Sequence, residues 1–316
     1  MEHRLKRLRQ KLEESGLDAV LISQPENRFY LSGFSGSAGY LVISADHAII
    51  ATDFRYFEQS ERQSPNFRLI KMLEGKLSAG LSEALSIVKP KRLGFEAGDV
   101  SYAFYTQLRQ VLSKMDSSQR PRLMSTQNLV ESLRATKDEE ELNEIKAAAQ
   151  VADAALKDVV PAIEAGMTEK QVAWELEKSM RDHGADGVSF ETIVASGPNG
   201  ALPHHRPSDR AILQREPIVI DMGAMIRGYC SDITRTVVVG KPDEKLRKVY
   251  DTVLAAQLTA IATVQSGMTG HDADGLARKV IQKAGYGDNF GHSLGHGIGL
   301  AVHENPRVGP ISNSDL

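Results

Sequence analysis

Three stretches of the chain concentrate residues able to do chemistry. The densest is Gly291-His292-Ser293-Leu294-Gly295-His296-Gly297-Ile298-Gly299-Leu300-Ala301-Val302-His303-Glu304, which holds three of the nine histidines. Neutral imidazole is the commonest protein metal ligand and an acid/base near neutral pH. The interspersed glycines let the backbone approach a ligand closely. His292 and His296 have the i, i+4 spacing of a zinc-binding helix. That motif needs a Glu after the first His and a helical backbone, whereas here Ser293 follows and glycines disfavour helix. In an extended segment the two histidines share a face. The run also spells Gly291-His292-Ser293-Leu294-Gly295, the pattern of a serine-hydrolase elbow. Such an elbow needs a core strand before it and an acid and then a His after it. Asp288-Asn289-Phe290 makes a poor strand, and His296 and His303 precede Asp315, so that chemistry is set aside.

The second stretch is Ile218-Val219-Ile220-Asp221, a short apolar strand ending in a carboxylate. A turn over Met222–Gly228 and a second strand over Asp232–Val239 follow. Pairing Asp221 directly with Asp232 would close this hairpin around Ile226-Arg227. Two carboxylates on one face, roughly 4.5–5.5 Å apart at Cβ, repel each other unless a cation lies between them. Dinuclear sites, with metals about 3.5–4 Å apart, use such a spacing. The third stretch, Ser196-Gly197-Pro198-Asn199-Gly200-Ala201-Leu202-Pro203-His204-His205, reads as a Gly/Pro-marked loop after Ile193-Val194, with two histidines able to contact a substrate.

The elements that must hold these stretches divide the chain in two, with a boundary near residue 133. Residues 1–132 alternate helix and strand patterns. A helix over Leu5–Glu14 carries Leu5, Leu8 and Leu12 on one side, so its basic residues are a solvated face. Strands are expected over Ala19–Ser23, Tyr40–Ile43, His47–Thr52, Leu69–Met72 and Leu93–Phe95, which makes this half an α/β domain. Gly33, Gly36 and Gly39 lack dinucleotide-fingerprint spacing and read as turn glycines.

In residues 133–316 the acidic run Asp138-Glu139-Glu140-Glu141 suits a helix N-terminus. Gly166-Met167-Thr168 recurs 101 residues later as Gly267-Met268-Thr269, and Gly184 and Gly285 repeat at the same offset. Each Thr can cap a helix that its glycine ends, with a full capping box only at Thr168–Gln171. The second half is therefore expected to be a duplicated, pseudo-symmetric domain.

Composition bounds the function. With 41% hydrophobic and 25% charged residues the chain is an ordinary globular protein, and a formal net charge of -3 offers no basic surface for nucleic acid. No apolar run approaches the ~20 residues of a membrane span, and Met1–Glu14 is too charged for a signal peptide. The lone cysteine, Cys230, cannot form an internal disulfide, and a cytoplasmic location is expected.

Taken together, these stretches resemble the peptidase family with the pita-bread fold: methionine aminopeptidase, Xaa-Pro aminopeptidase, prolidase and creatinase. Ile220-Asp221-Met222-Gly223 with Gly228-Tyr229-Cys230-Ser231-Asp232-Ile233-Thr234-Arg235-Thr236 resembles its paired-aspartate signature, and Gly295–Glu304 its histidine signature. Leu202-Pro203-His204 resembles its substrate loop. Gly33-Phe34-Ser35-Gly36-Ser37-Ala38-Gly39 and Thr52-Asp53-Phe54-Arg55-Tyr56 resemble the creatinase-like N-terminal domain. The resemblance implies an α/β N-terminal domain followed by an α+β pseudo-symmetric pita-bread domain, acting as an Xaa-Pro aminopeptidase or dipeptidase.

It further implies that Asp221 binds one metal, Asp232 bridges two and His296 binds the other. His204, His292 and His303 would line the substrate site, and Thr234 would support a ligating carboxylate. The implied cofactors are two divalent ions, Mn²⁺, Co²⁺ or Zn²⁺. The implied partners are proline-containing peptides or dipeptides and a second copy in a homodimer. The family also places two glutamate ligands after the stretch resembling Val308–Asn313. Neither is present before Leu316, so three of five ligands are expected, with activity in question. The rival reading is a catalytically inactive peptide- or protein-binding protein on the same fold.

Overall fold

A computed structural model describes residues 1–72 and 77–316. The chain divides into two compact units, Met1–Thr136 and Lys137–Leu316.

The first unit runs α1 (Glu2–Glu14), β1 (Ala19–Ile22), α2 (Pro25–Ser32), β2 (Tyr40–Ser44), β3 (Ala48–Asp53), α3 (Phe57–Gln63), β4 (Arg68–Met72), α4 (Leu77–Val88), β5 (Arg92–Glu96), α5 (Tyr102–Ser113), β6 (Arg122–Thr126) and α6 (Glu131–Ala135). Its sheet has the order β4-β3-β2-β1-β5-β6. β1, β2 and β3 pair antiparallel, and the outer pairs are parallel. One core gathers Leu21, Val42, Ile49 and Leu93 from the sheet with Leu81 and Leu85 of α4 and Leu108 and Leu112 of α5. Leu5, Leu8 and Leu12 are the buried stripe of α1, as their spacing requires. Gly33 caps α2 in the left-handed region at φ 76°, where a side chain would be strained. The edge strand β6 was not anticipated, because it is only half-buried and carries little apolar signal.

The second unit runs α7 (Glu139–Val159), α8 (Glu169–Asp182), β7 (Gly187–Val188), β8 (Ile193–Ser196), β9 (Pro217–Met222), β10 (Ala224–Ile226), β11 (Tyr229–Cys230), β12 (Ile233–Val238), α9 (Glu244–Thr263), α10 (Gly270–Lys283), β13 (Gly295–Gly297) and β14 (Glu304–Val308). Asp138 and Glu141 form a capping box at the start of α7. A core of Ala152, Leu156, Val172, Leu176 and Met180 packs these helices on Val194, Ile218, Ile220 and Met222 of the sheet β12-β9-β8.

The duplication is visible in the backbone. Gly166 N–H donates to Ile212 O at 2.9 Å and Ile212 N–H returns to Met167 O at 2.9 Å. In the second copy Gly267 N–H donates to Leu316 O at 3.3 Å and Leu316 N–H returns to Met268 O at 2.9 Å. Thr168 caps α8 with a full capping box, while Thr269 caps α10 by accepting from Asp272 N–H at 3.1 Å and donating its hydroxyl to Asp272 Oδ2 at 2.8 Å. Gly184 (φ 97°) and Gly285 (φ 86°) follow the two helices in matching conformations.

Two expectations are corrected. Asp221 is not paired with Asp232; its partner across β9–β12 is Thr234. The segment after Met222 is also not a simple turn. β10 and β11 form their own hairpin, which joins β7 in a separate three-stranded sheet. The cause lies at Gly223, where any Cβ would collide with the Ser231 carbonyl. The chain crosses itself there, with Ser231 N–H donating to Ala224 O at 2.9 Å and Ala224 N–H to Ser231 Oγ at 2.9 Å. Asp232 therefore sits two residues before Thr234 and diagonal to Asp221, on the same face.

Candidate active site

Asp221 lies in the central strand β9, between Ile193 of β8 and Thr234 of β12. Thr234 Oγ1 donates to its Oδ1 at 2.6 Å. Burial pushes the Asp221 carboxyl above the ordinary carboxylate range. The Thr234 hydrogen bond opposes that shift, and the neighbouring Asp232 charge adds to it. Diagonal placement thus still brings the two carboxylates into interaction.

His296 comes from β13, where it is registered opposite Arg307 of β14. Its Nε2 lies 3.4 Å from Asp232 Oδ2, with both side chains about one-fifth exposed. Its Nδ1 faces Gly297 O at 3.0 Å, and a carbonyl can only accept. In the neutral ring this leaves the Nε2 lone pair pointing toward Asp232, the tautomer a metal ligand requires. The hydrogen bond to Asp232 raises the imidazole pKa.

The His303 ring stands 4.4 Å from the His296 ring, centroid to centroid. Burial and the charges of His296 and Arg307 lower its pKa, and exposed His204 is near enough to contribute in the same sense. His292 makes other contacts: its ring meets Phe290 edge-on at 4.9 Å, and its Nδ1 donates to Ser293 O at 2.8 Å.

Several long-range bonds hold the glycine-rich run beside the aspartates. Cys230 N–H, two residues before Asp232, donates to Gly299 O at 2.7 Å. Glu304 accepts from Ala301 N–H at 2.9 Å and pairs with Lys137 at 3.3 Å. A Cβ at Gly299 would lie 2.6 Å from the Glu304 carboxylate, so a side chain here would displace that carboxylate. On α10, Asp274 accepts from Arg278 Nε at 2.6 Å and from Leu294 N–H at 3.0 Å. Arg278 donates in turn to Phe290 O at 2.7 Å and His292 O at 2.8 Å, and stacks over the Phe290 ring. None of these supports was legible beforehand. Asp274 and Arg278 are an i, i+4 pair that only its burial distinguishes from a surface ion pair.

The mixed carboxylate and imidazole chemistry of Asp221, Asp232 and His296 fits a divalent cation, which would offset the repulsion between the two neighbouring carboxylates. In number the donors fall short: among the described residues no group of three or more His, Cys, Asp and Glu side chains is arranged so that it could hold a metal ion.

Residues 143–315 match the model of metallopeptidase family M24, and residues 4–136 match the creatinase/prolidase N-terminal domain. The chain belongs to metallopeptidase family M24. An uncharacterized peptidase, YqhT of Bacillus subtilis, is 41% identical to this M24 chain over 99% of it and 87% of the relative. Among solved structures, an Xaa-Pro dipeptidase from Bacillus anthracis superposes with a TM-score of 0.94 at 38% identity, over 100% of this chain and 86% of that one. An X-Pro aminopeptidase from Thermotoga maritima gives 0.87 at 37%, over 97% and 87%. The fold is that of a creatinase N-terminal domain followed by a pita-bread M24 domain, as the sequence motifs imply, and divalent metal is the cofactor class of the family.

Proposed function

We propose that this M24 chain hydrolyses the peptide bond preceding proline, as an Xaa-Pro dipeptidase or aminopeptidase. The observation that carries the proposal is the approach of His296, from a distant glycine-rich strand, to Asp232 and through it to Asp221. In this reading Asp221, Asp232 and His296 would hold two divalent ions, Mn²⁺, Co²⁺ or Zn²⁺. Such ions, when bound, would supply the acidification of water that peptide hydrolysis at neutral pH needs.

The remaining steps belong to the protein. Thr234 fixes the Asp221 carboxylate, and the Gly297 carbonyl fixes the His296 tautomer. His303 and His204 face the same cluster and supply donors for the scissile carbonyl oxygen and the leaving proline nitrogen, with His292 at the margin. The expected substrates are proline-containing dipeptides or short peptides, and the expected assembly is a homodimer in the cytoplasm. Among the described residues no helix is long and apolar enough to cross a membrane.

A second reading is a binding protein that keeps the fold without catalysis. It is favoured by the shortfall of the donor set. Metal content after incubation with Mn²⁺, Co²⁺ or Zn²⁺, measured with turnover of an Xaa-Pro dipeptide and an Xaa-Pro tripeptide, separates the two. Metal uptake and turnover that both vanish in Asp221→Asn and His296→Ala support the peptidase. Absence of metal and turnover in the unaltered chain overturns it in favour of the binding protein.

A further inference from the structure

The loop bearing His204 is held by a carboxylate to which the mechanism assigns no part. Glu169, in the first turn of α8, is fully buried. Its Oε1 accepts from Ser196 N–H at 2.7 Å, Ser196 Oγ at 2.8 Å and Asn199 Nδ2 at 2.9 Å. Its Oε2 accepts from His205 Nε2 at 2.8 Å, Ser208 N–H at 3.0 Å and Ser208 Oγ at 2.7 Å. The six donors come from both ends of the loop and from the residue next to His204. Burial alone would raise this carboxyl. Instead, Asn199, Ser196, Ser208 and His205 hold it well below the ordinary carboxylate range.

The duplication shows that the fold itself does not need this side chain. Glu169 N–H donates to Arg210 O and Lys170 N–H to Ser208 O, each at 3.2 Å. In the second copy Gly270 N–H donates to Ser314 O at 2.9 Å and His271 N–H to Ser312 O at 2.7 Å. The same framework thus forms with glycine at the equivalent position. A buried, six-fold bonded carboxylate in one copy alone is tied to what that copy's loop carries.

We propose that Glu169 is a positioning residue that ties Ser196, Asn199, His205 and Ser208 together and so sets the place of His204 beside His303. The proposal rests on the peptidase reading for its catalytic consequence, and on geometry alone for its effect on the loop. The test compares the unaltered chain with Glu169→Gln, Glu169→Ala and Ser208→Ala by hydrogen exchange over residues 196–208, and by KM and kcat on an Xaa-Pro dipeptide in the presence of Mn²⁺. Glu169→Gln keeps the shape but turns one acceptor into a donor facing donors.

Amide exchange in the loop is expected to quicken at least about tenfold in both Glu169 variants and less in Ser208→Ala, with α10 unchanged. KM is expected to rise about tenfold or more. A merely smaller folded fraction would lower apparent kcat and leave KM alone. Unchanged loop exchange in both Glu169→Gln and Ser208→Ala overturns the proposal whatever happens to turnover. Faster loop exchange in a chain that never turns over substrate supports the tether and counts against the peptidase reading instead.

Discussion

Two ion pairs with the same helical spacing should differ sharply in worth, because one is buried. Asp274 and Arg278 of α10 are 2% and 19% exposed at their side chains, whereas Arg247 and Asp251 of α9 are 69% and 54% exposed. Asp274→Ala removes both carboxylate contacts to Arg278 and the acceptor of Leu294 N–H. The guanidinium keeps the Phe290 and His292 carbonyls and the Phe290 ring but loses its counter-charge. Breaking a buried pair from one side costs about 3–5 kcal/mol. Partial exposure of Arg278 places this case near the lower end, about 3 kcal/mol. In a unit of this size that lowers Tm by roughly 6–12 °C. Asp251→Ala should cost about 0.5 kcal/mol or less. Urea and thermal unfolding by circular dichroism, with hydrogen exchange over α10 and residues 290–294 to assign the transition to the second unit, measure both. Equal losses in the two variants, or no loosening of 290–294 in Asp274→Ala, would refute the argument from burial.

Three further outcomes are expected. Gly197 has φ 54° and its missing Cβ leaves room for the Glu216 carboxylate, which pairs with Arg210 at 2.6 Å. Gly197→Ala should therefore destabilise the second unit by about 1–3 kcal/mol in urea titration. The Glu216 carboxyl is held below its ordinary range by Arg210, and Glu169 is likewise depressed. Their contribution to stability is complete above the unfolded carboxylate range near pH ~4.3 and lost as pH falls below it, so urea midpoints should drop with acid, and less steeply in Glu169→Gln. Thr234→Val removes the 2.6 Å donor to Asp221 without changing side-chain size, and on the metal reading it should weaken Mn²⁺ binding about 10–100-fold by calorimetry while circular dichroism stays unchanged.

Where local chemistry decides structure, the sequence was enough. Apolar runs place β1, β2, β3 and β9, Asp138 and Thr168 start their helices, and Gly184 and Gly285 follow helix ends, because caps and left-handed turns are settled within a few residues. Motif spacing carried the family and both domains. Residue type and spacing also nominated Asp221, Asp232 and His296, but no local rule sets the distance between strands far apart in the chain. Register was decided by tertiary packing: the Gly223–Ser231 crossing moves Thr234, in place of Asp232, opposite Asp221. Burial was decided there too. Neither Glu169 nor the i, i+4 pair Asp274–Arg278 carries a local signal of burial in the sequence. Both are made structural by donors and backbone carbonyls arriving from segments 12 to 39 residues away, which a local pattern cannot register.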